Sequence, residues 1–137
     1  MKKFILYIWQ LPQNIIGLIL VLVTRARKYS ATTNFPVHYI IRNPENYKYF
    51  GVSLGNYIVF GNEPTRCSLL HEKGHQKQSL YLGWFYLFVI GVPSAFGNIF
   101  DRAFHRNWTE HQRIVWYYSQ PWESWADKLG KVNRFCI

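Results

Sequence analysis

The sequence predicts an α+β fold: a short antiparallel sheet, two motif-bearing helices, and one or two long apolar helices. Three features predict it. Residues 37–60 alternate strand-like runs with turn residues, the run His71-Glu72-Lys73-Gly74-His75 sits in a helix-forming context, and two long stretches carry no charge. A chain of 137 residues suits one domain, taken as 1–137. With 49% hydrophobic and 19% aromatic residues it has enough apolar area to fold, which excludes a disordered chain.

The first apolar element is residues 4–24, which contain no formal charge. Twenty-one helical residues rise about 31 Å, roughly the thickness of a bilayer's hydrocarbon core. Gln10, Pro12, Gln13 and Asn14 interrupt the stretch and leave its strongly apolar half from Ile15 to Val23. The apolar run is too long for a signal peptide, and Thr24-Arg25-Ala26-Arg27 is a poor cleavage site. Residues 78–100 are also uncharged, and they predict an apolar helix over 80–100 punctuated by Gly83, Gly91, Pro93 and Gly97. One domain of this size has little room to bury two such helices on all sides. The expected location is therefore membrane-associated and integral, with orientation open because both ends of both stretches are basic.

Sixteen Lys and Arg against seven Asp and Glu give a formal charge of +9. Such an excess suits nucleic acid, an anionic membrane or an acidic ligand. The basic residues come in small groups that bracket the apolar stretches: Lys2 and Lys3, then Arg25, Arg27 and Lys28, then Lys73 and Lys77, then Arg102 and Arg106. They form no stripe interleaved with stacking aromatics, so membrane lipid is the expected partner and nucleic acid is not.

In the polar middle, Val37 to Arg42 reads as a strand, Asn43 to Asn46 as a turn, and Lys48 to Ser53 and Tyr57 to Phe60 as two further strands. Together they predict a small antiparallel meander on which His38 is an ordinary half-buried histidine. The two cysteines, Cys67 and Cys136, make no disulfide framework; the sequence leaves a single structural bridge open, with separate thiols as the default expectation. Gly61 to Thr65 ends the last strand and opens a helix, the first of the metal-site helices assigned to 65–130.

On that helix His71 and His75 are four residues apart and lie on one face, so both imidazoles reach one ion while Glu72 sits beside it. Downstream, Pro121 can begin a helix and Gly130 can end it. Between them Glu123 and Asp127 are also four apart, on a segment rich in Trp and Tyr. Two imidazoles on zinc need a further protein ligand, and a carboxylate supplies it in one common class of catalytic site. A second carboxylate one turn on can accept the distal ring N–H of a ligand histidine. Within the same reading, His105 or His111 can replace Glu123 as the third ligand, from an interval 101–111 that looks polar and loop-like.

The pairing of His71-Glu72-x-x-His75 with Glu123-Ser124-Trp125-Ala126-Asp127 resembles the gluzincin metallopeptidases. Its Glu-x-x-Ala-Asp form is most similar to the membrane-embedded CAAX-processing type and heat-shock type zinc proteases, in minimal form. The resemblance covers residues 56–130. It implies Zn2+ held by His71, His75 and Glu123, Glu72 as general base, Asp127 behind a ligand histidine, and peptide-bond hydrolysis by zinc-activated water. It also implies that an extended peptide lies along an edge strand, for which Tyr57 to Phe60 is the nearest candidate. Tyr117 and Tyr118 are candidate donors to the oxyanion because they are close in sequence to Glu123. The expected partner on this reading is a peptide or protein substrate. The alternative is a small non-catalytic membrane protein whose zinc site is structural or vestigial and serves to bind a partner.

Overall fold

The computed structural model describes residues 1–29, 36–41 and 51–134. The element order is α1 (Lys2–Trp9), α2 (Leu11–Thr24), β1 (Arg27–Lys28), β2 (Val37–Ile40), β3 (Gly51–Leu54) and β4 (Tyr57–Phe60). Then come α3 (Arg66–Leu82), a 3-10 turn (Gly83–Phe85), a π-helical turn (Leu87–Gly91), α4 (Val92–Phe104), α5 (Glu110–Ser119) and α6 (Pro121–Gly130). The chain is α+β, as expected, but the sheet is mixed rather than an antiparallel meander.

Its strand order is β1-β2-β4-β3, with β2 parallel to β4 and the outer pairs antiparallel. The reason lies in β4. Tyr57, Ile58, Val59 and Phe60 are all buried, so this strand presents no polar face and belongs between two neighbours rather than at an edge. Gly55, with φ +63°, turns the chain within a two-residue loop and returns β4 antiparallel to β3. Tyr57 to Phe60 is therefore an inner strand and not the expected edge; among the described residues the sheet's edges are β1 and β3, and β3 is the strand beside α3. The expected turn at Asn43 to Asn46 lies outside the described residues.

Helix α2 covers one face of the sheet, where Val21 packs with Ile41, Tyr57 and Val59. Gly17 makes this approach possible, since a Cβ there would meet the Tyr57 side chain at 2.9 Å and the Leu54 carbonyl oxygen at 3.0 Å. The expected continuous helix over 4–24 is broken at Gln10, and α1 and α2 meet at 83°. The interrupting polar residues are structural. Gln10, Gln13 and Asn14 are fully buried. Gln13 Nε2 donates to Ser79 Oγ (2.9 Å) and to the Gly83 carbonyl (2.8 Å), and Ser79 Oγ donates to Gln10 Oε1 (2.7 Å). Asn14 Oδ1 accepts from the Asn56 backbone N–H at 2.8 Å. A corner with these unmet polar groups in an apolar core would be costly, so the same residues that spoil the span fasten it to α3 and to the β-turn.

The second apolar stretch is divided likewise. Its first residues belong to α3, and the chain then turns at Gly83, whose φ is +53° and where a Cβ would overlap the Trp9 ring. Trp9 Nε1 donates to the Leu80 carbonyl (2.8 Å) and Trp84 Nε1 to the Ile8 carbonyl (2.9 Å), which joins the two bent segments. Among the described residues no single helix is long and apolar enough to cross a membrane. Two bent pairs reach that length and composition together, the second bent by 119°. Their outer faces expose Phe4, Ile19, Leu22, Phe88, Phe96 and Phe104 among other large apolar side chains. The polar interval 101–111 is less loop-like than expected. Helix α4 runs to Phe104, and α5 starts after a Thr109–Gln112 capping box.

Candidate metal centre

Helices α3 and α6 cross in backbone contact, and this crossing builds the site. A Cβ on Gly74 would overlap the Ala126 carbonyl, and one on Gly130 would overlap the Leu70 carbonyl. With glycine at both points the helices approach closely enough to set Glu123 and Asp127 against His71 and His75. Thr65 caps α3, its hydroxyl accepting from the Ser68 N–H at 3.2 Å. Pro121 opens α6, so Glu123 lies in a first helical turn.

The result is a buried triad of His71, His75 and Glu123 whose ligand atoms gather within one metal-sized group. His71 Nε2 lies 3.1 Å from His75 Nε2, and Glu123 Oε2 lies 3.0 Å from the first and 3.1 Å from the second. Donors about 2.0–2.1 Å from a tetrahedral zinc stand about 3.3–3.4 Å apart, so these separations agree to a few tenths of an ångström.

The donor chemistry points the same way. His71 Nδ1 is 2.6 Å from Asp127 Oδ1, and an ionised carboxylate only accepts. His75 Nδ1 is 2.7 Å from Gln78 Oε1, and that amide is oriented because its Nε2 donates to the Trp122 carbonyl at 2.8 Å. Both Nδ1 atoms therefore carry the ring proton, and both Nε2 atoms present lone pairs to a carboxylate oxygen. In that tautomer three acceptors face one another, an arrangement a cation satisfies. Without one, burial opposes protonation of His71, but its contacts with Asp127 and Glu123 prevail and raise its pKa to about 9, so that its Nε2 donates to Glu123 instead. Glu72 is also buried, and its Oε2 has no hydrogen-bond partner among the described residues.

Electrostatics around the third ligand are consistent. Burial pushes the Glu123 carboxyl up, but contacts with His71 and His75 and the hydroxyl of Ser94 prevail and hold it well below the ordinary carboxylate range. Burial likewise raises Asp127, yet His71 and Arg134 hold it below its usual value. Burial, reinforced by the charge of Glu123, pushes the Tyr117 phenol up, so it remains a hydroxyl.

The other expected residues are placed as follows. Tyr117 Oη is 3.0 Å from Ser94 Oγ, which donates to Glu123 Oε1 at 2.6 Å. The Tyr118 ring stands edge-on to His71, centroids 5.0 Å apart. His38 is half-buried on β2. His105 and His111 do not join the triad. His105 is paired with Asp101 at 3.1 Å and stacked on Trp108, and His111 is exposed on α5. Cys67 is disulfide-bonded, which corrects the expectation of separate thiols.

Three residues of the site were missed in the sequence. Gln78 follows His75 by three residues and lies on the same helix face, so its contact was available from spacing alone. Ser94 lies 29 residues from Glu123, and Arg134, seven residues after Asp127, lies past the end of α6, so neither shares a helix face with the motif residues. Comparison with protein-family models, curated proteins and solved structures finds no match to this chain.

Proposed function

We propose that this protein is a zinc-dependent peptide hydrolase that works at a membrane. The observation that carries the proposal is the convergence of His71 Nε2, His75 Nε2 and Glu123 Oε2 beside Glu72 Oε2, which has no partner among the described residues. His71, His75 and Glu123 would hold the zinc, which when bound would supply Lewis acidity to polarise a carbonyl and lower the pKa of water toward neutrality.

Glu72 accepts the proton of the attacking water and delivers it to the leaving amine. Gln78 and Asp127 hold the two imidazoles in the tautomer that leaves Nε2 free. Tyr117 is committed to Ser94, so Tyr118 is the better donor to the oxyanion, and its burial favours the protonated phenol.

The extended substrate is assigned to β3. Tyr86 Oη donates to the Ser53 carbonyl at 3.0 Å, so that carbonyl points away from β4. Strand groups two residues apart point the same way, which turns the Gly51 N–H and C=O outward as well. An added Cβ at Gly51 would stand 3.0 Å from Glu72 Oε1, so this open main chain adjoins the proposed base. A peptide paired along β3 would pass the site by main-chain hydrogen bonding.

Membrane association rests on the exposed apolar faces of α1, α2 and α4 and on charge. Of the seven acidic residues, Glu72 and Glu123 are buried, Asp101 is paired with Arg113, and Asp127 with Arg134. The two ion pairs each cancel one basic charge as well, so it is the burial of Glu72 and Glu123 that leaves the outer surface more basic than the formal charge suggests, as suits anionic lipid.

The test uses detergent-purified chain, a quenched-peptide library and metal analysis. One zinc per chain, with cleavage lost in Glu72→Gln while zinc is retained, supports hydrolysis. Retained zinc with no cleavage by any form favours the non-catalytic reading.

A further inference from the structure

The last described residues add a side chain to the site that its motif does not contain. Lys131 adopts the left-handed conformation, φ +55°, and the chain turns back on α6, with Lys131 N–H donating to Lys128 O (3.3 Å) and Val132 N–H to Asp127 O (2.9 Å). This is a Schellman-type ending. It returns Arg134 to the start of the same helix turn, seven residues after Asp127. There Arg134 Nε donates to Asp127 Oδ2 at 2.7 Å, and Nη2 donates to Asp127 Oδ1. The guanidinium lies flat on Tyr118, its Cζ 3.4 Å from the ring centroid. Its Nη2 is also 3.1 Å from His71 Nδ1.

These contacts have a chemical consequence. A guanidinium donates only, so both Asp127 oxygens are held as acceptors by a planar fork. Oδ1 is shared between that fork and the His71 ring N–H. Its direction is therefore set by Arg134, and the direction of Oδ1 sets the plane of the His71 imidazole. Tyr118, edge-on to the same imidazole and covered by the guanidinium, closes the other side. Asp127, His71, Tyr118 and Arg134 form one packed unit, of which only Arg134 comes from beyond α6.

We propose that Arg134 is a positioning residue for the metal site: through Asp127 and Tyr118 it fixes the orientation of His71 toward the ion. The proposal rests on the reading of His71, His75 and Glu123 as metal ligands. Arg134 itself touches neither metal nor substrate. It makes the segment after α6 part of the site, and removing it should loosen His71 while leaving the ligand set intact.

The test is a set of zinc affinities measured by chelator competition on the detergent-purified full chain. It is accompanied by the visible spectrum of the cobalt(II)-loaded protein, which reports ligand geometry. Arg134→Ala is expected to weaken zinc about tenfold, the low end for loss of an outer-shell partner, and to shift the cobalt spectrum. Arg134→Lys is expected to recover only part of the loss, because an ammonium cannot span both carboxylate oxygens while lying on a phenol ring. In an Asp127→Asn background, Arg134→Ala should cost clearly less than in the parent, leaving only the share carried by Tyr118.

Parent-like zinc affinity and cobalt spectrum in Arg134→Ala would overturn the inference. So would a loss fully additive with Asp127→Asn. A parent that binds no zinc overturns the metal reading and this inference together, whereas a zinc-binding parent with an unaffected Arg134→Ala variant overturns this inference alone.

Discussion

His71 Nδ1 and Asp127 Oδ1, 56 residues apart in the chain, lie 2.6 Å from each other. This contact ties the two motif helices at the level of the His71, His75 and Glu123 triad and places a ring proton of His71 on Nδ1. Asp127→Ala should leave the three ligands in place yet weaken zinc about 10- to 100-fold, the usual cost of losing such a partner. Chelator competition measures it, and parent-like affinity would remove Asp127 from the site.

The crossing of α3 and α6 depends on the absence of a side chain at Gly74. Gly74→Ala would drive a methyl into the Ala126 carbonyl, and neither backbone can yield without parting Glu123 from the histidines. The expected cost is about 1–3 kcal/mol of stability, together with loss of metal. Thermal unfolding and metal content of the variant check it; an unchanged melting temperature with full zinc would show that the helices have slack.

How much of this was legible in the sequence follows from distance along the chain. His71, Glu72 and His75 were legible because helical spacing alone places them together, and Glu123 with Asp127 for the same reason. The bracketing by Pro121 and Gly130 matched the observed α6. The parallel pairing of β2 with β4 was not legible, because it depends on which strand is buried on both faces, and the meander assumed nearest neighbours would pair. The breaks at Gln10 and Gly83 were visible as interruptions, but their partners, Ser79 and Trp9, are assigned only by tertiary packing. Ser94 and Arg134 reach the site through folding alone.

Acid should act on the metal-free protein through Glu123 and Asp127. Both carboxyls are held below their ordinary values in the fold. A group of this kind stabilises the fold above its unfolded pKa, about 4 for these side chains, and loses that contribution as pH falls toward the folded pKa. Stability of the metal-free chain should therefore decline below about pH 4. The decline should flatten in Glu123→Gln, followed by denaturant titration at several pH values. Zinc affinity should also fall with acidity, as protons compete for the imidazoles.

The exposed apolar faces predict vesicle binding. The parent should float with vesicles containing anionic phosphatidylserine and bind neutral phosphatidylcholine vesicles less at low salt. Replacing Ile19, Leu22, Phe88 and Phe96 together by Ser should sharply reduce flotation while leaving zinc content unchanged. A parent that stays monomeric in buffer without detergent and ignores both vesicle types would contradict membrane association.

The most direct measurement is zinc content, side by side, for the parent, Glu72→Gln and Glu123→Ala after chelator-free purification. The site as described predicts about one zinc per chain in the parent and in Glu72→Gln, because Glu72 stands beside the ion without being a ligand. It predicts far less zinc in Glu123→Ala, left with two imidazoles. Zinc held by Glu123→Ala as tightly as by the parent would contradict the His71, His75 and Glu123 centre outright.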